Sequence, residues 1–169
     1  ITGKLLGVPI VRSRHVNIPM RNHIFNRWLY AKAPKRILTS GRGIAEMVSE
    51  RSGLSADKII SIPAGVDFRI FDYKISGDKI RQELGISSHQ PLIGIVGVIR
   101  GWKGYDYFVD SAPLVLEKFP DARFVIVGAG PGYEAILSKI KNQGLERSVF
   151  MLGHREDIPE IMAALDVHC

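Results

Sequence analysis

The sequence predicts an α/β fold of parallel sheets with helices on both faces, and three observations lead there. Short apolar, β-branched runs alternate with stretches of helical period along the whole chain. Glycine- or proline-bearing turns join them, and no two strand-like runs follow one another without a helical stretch between. At 169 residues, 46% hydrophobic and 24% charged, the chain has the makeup of a soluble globular protein with a sizeable core.

In order, 8–14 (VPIVRSR) reads as a strand running into His15. Residues 21–32 read as an amphipathic helix, with Ile24, Phe25, Trp28 and Leu29 at helical spacing and Pro34 as its stop. Residues 36–39 form a strand; Ser40 is the expected N-cap of a helix over 43–52, with Gly53 ending it. Residues 58–62 make a third strand. The segment 63–73, with proline, glycine and interspersed aromatics, is the predicted domain boundary, dividing 1–66 from 67–169. Beyond it come a helix over 77–84, a strand from Leu92, a helix over 105–119, a strand over 123–127, a helix over 133–143, a strand over 149–152, a helix over 158–165 and a last strand from Asp166.

The formal net charge of +6 is divided unevenly. Residues 1–66 carry 11 Lys/Arg against 3 Asp/Glu, whereas 67–169 carry 12 against 14. The first part should therefore favour an anionic acceptor or surface. It has no zinc-ligand spacing, no aromatic RNA-binding signature and no helix-turn-helix pattern, so no nucleic acid is expected. No run approaches the ~20 apolar residues of a membrane-spanning helix, and the first residues, broken by Gly, Lys and Arg, are not a signal peptide. The single cysteine, Cys169, leaves no internal disulfide and fits a reducing cytoplasm; as a strand residue it is expected to be packed. The 24/25/28/29 stripe is expected to be core. A peripheral contact with the inner face of a membrane is the alternative, with Arg21, Arg27, Lys32, Lys35 and Arg36 attracting anionic lipid.

The chemistry-bearing stretch is 92–106, LIGIVGVIRGWKGYD. A strand, a glycine-bearing turn and a helix present backbone N–H groups to an anion, and Arg100 and Lys103 add formal charge. Gly101 and Gly104 would let the backbone approach the ligand, and Gly97 is counted among the residues that bind it. The loops 128–132 and 153–157 fall at the same carboxyl end of the expected sheet, where ligands of open α/β sheets sit. Gly128-Ala-Gly-Pro-Gly also invites comparison with a dinucleotide fingerprint. Its G-x-G-x-G spacing and the absence of an acid after VFML make a dehydrogenase the weaker reading. Asp157, beside Glu156, is expected to cap the helix that follows. His23, His89 and His168 have no metal-ligand spacing, and no metal site is predicted.

VGVIRGWKGYDYFVDSAPLV, FVIVGAGPGYEAI and FMLGHREDIPEIMAALDV together resemble the donor-binding domain of the family-4 retaining glycosyltransferases. SIPAGVDFRIF is similar to the interdomain segment of those two-domain GT-B enzymes. PIVRSRH and RILTSGRGIAEMV are similar to the last part of their acceptor domain. The resemblance implies two doubly wound parallel-sheet domains of GT-B type, both truncated: the end of an acceptor domain over 1–66 and the start of a nucleotide-sugar domain over 67–169.

It implies transfer of a sugar from a nucleotide diphosphate sugar, with retention, to a glycan or lipid-linked acceptor. No metal is needed, because protein cations and helix N-termini stabilise the leaving diphosphate. By the same resemblance Arg100 and Lys103 hold the diphosphate. Lys103 is the better match, because the family's arginine usually stands where Val98 is. Gly128, Gly130 and Pro131 match the loop beside the donor, and His154, Arg155 and Asp157 belong to the loop at the base. His15 matches a histidine near the transferred sugar. The family's opening glycine-rich loop and its glutamate pair would lie outside these residues, so the chain as given is expected to transfer sugar poorly. A non-catalytic nucleotide- or anion-binding module is the competing reading.

Overall fold

The structure, a computed structural model, describes residues 2–16, 18 and 23–169. It divides into two compact units, Ile1–Val66 and Asp67–Cys169, each with its own sheet and core.

The first unit begins with a short helix that the sequence did not announce, α1 (Thr2–Leu5), followed by β1 (Val11–Arg14). One α-helical turn, α2 (Ile24–Arg27), passes into a π-helical turn at Trp28–Lys32, closed by the Ala33 amide donating to the Trp28 carbonyl at 3.0 Å. Then come β2 (Arg36–Thr39), α3 (Arg42–Ser52) and β3 (Ile59–Ser61). The three strands pair in parallel in the order β1-β2-β3.

Three expectations are corrected here. The strand at 8–14 shortens to β1, starting two residues past Pro9. The expected N-cap Ser40 does not cap; Gly41 precedes α3 in extended conformation, without a side-chain bond to the helix. The wider π winding also changes which residues face inward. Tyr30 is buried with Ile37, Val48 and Leu54, Leu29 packs against them, and Ile24 and Phe25 are exposed. Of the cations named for a membrane surface, Arg21 lies outside the described residues. No helix among the described residues is long and apolar enough to cross a membrane.

The second unit contains α4 (Asp78–Glu83), β4 (Leu92–Val96), α5 (Tyr105–Leu116), β5 (Arg123–Val127), α6 (Tyr133–Asn142), β6 (Val149–Gly153), α7 (Ile158–Ala164) and β7 (Val167–His168). Its parallel sheet has the order β6-β5-β4-β7. Strand alternation makes two cores. Phe124 and Ile126 of β5 turn toward α5 and α6, with Phe108, Val109, Ala112, Ile136 and Ile140. Val125 and Val127 turn to the other face, with Ile80 of α4 and Ile161 and Ala164 of α7. Gly94 belongs to this second face. A Cβ there would lie 2.6 Å from Leu165 Cδ1, so the absent side chain is what lets Leu165 settle on the sheet.

One arginine ties the unit together. Arg81 donates to the carbonyls of Ala164, Ser87 and Gln90, each at 3.0 Å, and to Asp166 Oδ2 at 2.7 Å. That same oxygen accepts the Leu92 amide at 2.7 Å. Cys169, expected to be packed, is exposed.

Candidate functional site

The order β6-β5-β4-β7 fixes where a ligand can enter. From β4 the chain moves through α5 to β5 and through α6 to β6; from β6 it crosses the other face, through α7, to β7 on the far side of β4. The crevice of such a sheet opens at the carboxyl end of the strand where the winding reverses. That strand is β4, and the segment leaving it is 97–104, the one carrying Arg100 and Lys103.

Two loops continue the sheet past its strands. Gly97 donates to the Val127 carbonyl at 2.9 Å, Ile99 to Ala129 at 3.1 Å, Gly132 to Ile99 at 3.1 Å and Gly128 to Gly153 at 2.7 Å. Their approach is too close for side chains. At Gly128, with φ of 136°, a Cβ would fall 1.9 Å from the Gly97 carbonyl oxygen; at Gly130 it would fall 2.5 Å from that of Ile99. Tyr105, at the start of α5, donates its hydroxyl to Gly97 O at 2.8 Å, and burial raises its pKa, so it stays a donor. The amides of Gly97, Gly128 and Gly132 thus hold loop to loop, and those glycines shape the floor of the crevice.

Two concavities result. One, of about 270 Å³, is lined by Val96–Val98, Val127–Ala129, His154, Arg155 and Ile158. The other, of about 430 Å³, is lined by Arg100, Gly101, Trp102, Pro131 and Gly132. Trp102 is 76% exposed, and the Arg100 guanidinium lies 5.5 Å from its ring centroid, a cation–π contact that steers the charge along the loop. Lys103 is exposed in a 3₁₀ turn, Gly101–Lys103, that Gly104 ends with φ of 79°. Its amide donates to Arg100 O at 3.0 Å, and its ammonium makes no bond to any described residue.

The third loop holds a closed electrostatic knot. Arg155 donates to Asp157 through Nε at 2.8 Å and Nη2 at 2.6 Å, and to Glu83 through Nη1 at 2.6 Å and Nη2 at 3.0 Å. Hydrogen bonds from the guanidinium pull both carboxyl pKa values down, and those same bonds, to Asp157 first, raise that of Arg155. Asp157 stands at the N-cap of α7 but forms no cap bond, so the expected cap is corrected: Arg155 holds the carboxylate instead. Glu83, 72 residues earlier at the end of α4, carries no sequence signal for this pairing. Nor did the sequence mark Trp102 or Tyr105 as part of the crevice. An exposed aromatic beside a loop cation is the one cue available for Trp102.

The sheet thus brings Gly97, Gly128, His154 and Arg155 around one concavity, and Arg100, Gly101 and Pro131 around the other. Lys103, Gly104 and Gly130 lie on the connecting segments and line neither; Asp157 is engaged by Arg155. His15 follows β1 in the other unit and is exposed.

The sequence pattern of the glycosyl transferases group 1 matches residues 76–169, more than half of the chain. A UDP-Gal:alpha-D-GlcNAc-diphosphoundecaprenol alpha-1,3-galactosyltransferase of Escherichia coli is 30% identical over 152 residues, covering 83% of this chain and 38% of that protein. An alpha-D-kanosaminyltransferase of Streptomyces kanamyceticus is 24% identical over 181 residues, covering 96% of this chain and 46% of that protein. The crystal structure of Anabaena HepE in complex with UDP superposes with a TM-score of 0.76 at 23% identity, over 98% of this chain and 47% of that one. That likeness gives the fold, which is of GT-B type. The chain spans less than half the length of these three relatives.

Proposed function

Since this chain belongs to the glycosyl transferases group 1, we propose that it is part of an enzyme moving a sugar from a nucleotide diphosphate sugar to an acceptor with retention of anomeric configuration. The second unit would hold the donor, and the first would be the last part of the acceptor domain. The observation that supports this most is the loop 97–104 at the reversal of winding, with the ammonium of Lys103, bonded to no described residue, on it.

In the reaction the bond from the anomeric carbon to the diphosphate oxygen breaks, the acceptor hydroxyl oxygen bonds that carbon, and the hydroxyl proton passes to the departing diphosphate oxygen. Negative charge then builds on the departing diphosphate. Lys103 and Arg100 would lie against that charge, and as side chains of a preformed turn they would need little reorganisation to do so. No metal is assigned a role. The loops of Gly128–Pro131 and His154–Asp157 would bound the donor, the latter offering its backbone to the base while Arg155 and Asp157 keep the loop in shape. His15 would face the transferred sugar. The acceptor would be a glycan or lipid-linked sugar, by analogy with the galactosyltransferase relative, reached at the cytoplasmic side of a membrane.

The test is a thermal-shift series with UDP, GDP and ADP on this chain, since a ligand that binds only the folded state raises the midpoint. A rise with at least one of them that Lys103→Ala removes supports the reading. A flat response across the series sinks it. The isolated chain is expected to turn over nucleotide sugars poorly, and rapid turnover would show that these residues suffice.

A further inference from the structure

The first unit carries an arrangement that the donor site does not explain. Arg12 and Arg14 leave the same face of β1 and converge on Tyr30, their guanidinium carbons 4.2 Å and 5.6 Å from its ring centroid. Arg12 Nη2 donates to the Tyr30 hydroxyl at 3.3 Å and Arg14 Nη1 at 2.8 Å. Arg14 Nη2 also donates to the Ile18 carbonyl.

No carboxylate answers this charge. The first unit has three acids, Glu46, Glu50 and Asp57, and none of them pairs with either arginine. Two donors also stand open among the described residues. The Tyr30 hydroxyl accepts twice, yet its own proton has no acceptor, and Arg14 Nε is buried without a partner. Cation–π contact accounts for the stacking but relieves neither the repulsion of like charges nor the open donors. A tetrahedral anion relieves the repulsion and takes up the phenol proton, accepting from that proton and from the Nη hydrogens of the two guanidiniums that the phenol and the Ile18 carbonyl leave over, while Arg14 Nε, closed off from solvent, stays outside it.

We propose that Arg12, Arg14 and Tyr30 form a binding site for a phosphate or diphosphate group. Joined to the transferase activity, on which this extension rests, the site makes the acceptor a phosphate-bearing molecule.

Inorganic pyrophosphate titrated into the ¹⁵N-labelled chain should shift the Arg12 and Arg14 Nε–H and Tyr30 amide resonances saturably. Arg14→Lys should weaken that response by about tenfold or more, because an ammonium loses the fork. Tyr30→Phe, which keeps the ring and the fold, should weaken it as well. Phosphatidic acid vesicles form the second arm. Binding that Arg14→Lys abolishes places the phosphate on a lipid headgroup, whereas pyrophosphate binding alone places it on a solvent-borne molecule. Arginine resonances unmoved by pyrophosphate, or a response equal in both variants, overturn the proposal. If UDP still shifts 97–104 in the same sample, the donor site survives that failure; if it does not, the transferase reading fails separately.

Discussion

Arg155 and Arg14 are both partly buried guanidiniums, but they have opposite surroundings. Arg155 has two carboxylates around it and four donor bonds to them. Arg14 has a phenol and a carbonyl, a second arginine as neighbour, and one buried N–H bonded to no described residue. A guanidinium whose charge is cancelled within the fold works as a strut, because a ligand anion would have to displace carboxylates already in place. One whose charge is left standing works as a receptor. Charge type in the sequence is the same in both cases; what differs is the acid that the fold brings up.

The largest effect that would break the comparison comes from the crevice floor. Gly128→Ala puts a methyl group on the Gly97 carbonyl oxygen, at a positive φ, and should cost about 3 kcal/mol or more. Denaturant unfolding should show the loss, and UDP binding should vanish with it while the pyrophosphate response at Tyr30 persists. Next, Lys103→Ala should weaken UDP binding by about 1–3 kcal/mol, read by calorimetry, if its ammonium is a receptor. An unchanged affinity would put Lys103 with the solvated surface cations. Tyr105→Phe should cost about 0.5–1.5 kcal/mol of stability through the lost bond to Gly97 O.

Smallest at neutral pH is Arg155→Met, under about 1 kcal/mol, because the pair is partly solvated. Its signature is in acid. Glu83 and Asp157 titrate lower in the folded state than their ordinary 4.5 and 3.8, so the folded state binds fewer protons there. The stability they contribute is complete above those ordinary values and lost as pH falls through the lowered ones. Arg155→Met should remove that part of the acid decline in a melting series against pH. An unaltered acid limb would mean that the knot is no strut.

Much of the fold was legible because strand and helix periods differ and unit 2 obeys them closely. Phe124 and Ile126 against Val125 and Val127 is the pattern of a strand covered on both sides. The π turn at Trp28–Lys32 was not legible, since the same spacing serves an α-helix with Ile24 and Phe25 inward; only the packing of Tyr30 under β2 decides it. In the site, the loops could be located from the alternation of elements. The partner of Arg155 could not, because Glu83 meets it across 72 residues. Gly128 was matched to a loop beside the donor, and its missing side chain makes room for the neighbouring loop at Gly97. A motif gives the space and leaves open what fills it.

Arg81 and Asp166 stand 85 residues apart, yet one carboxylate oxygen links that arginine to the first amide of β4. That bond ties the residue leading into β7 to the strand beside it. Releasing β7 leaves a charge against α4 and exposes the Leu92 amide, so edge and centre should give up their deuterium as one cooperative event.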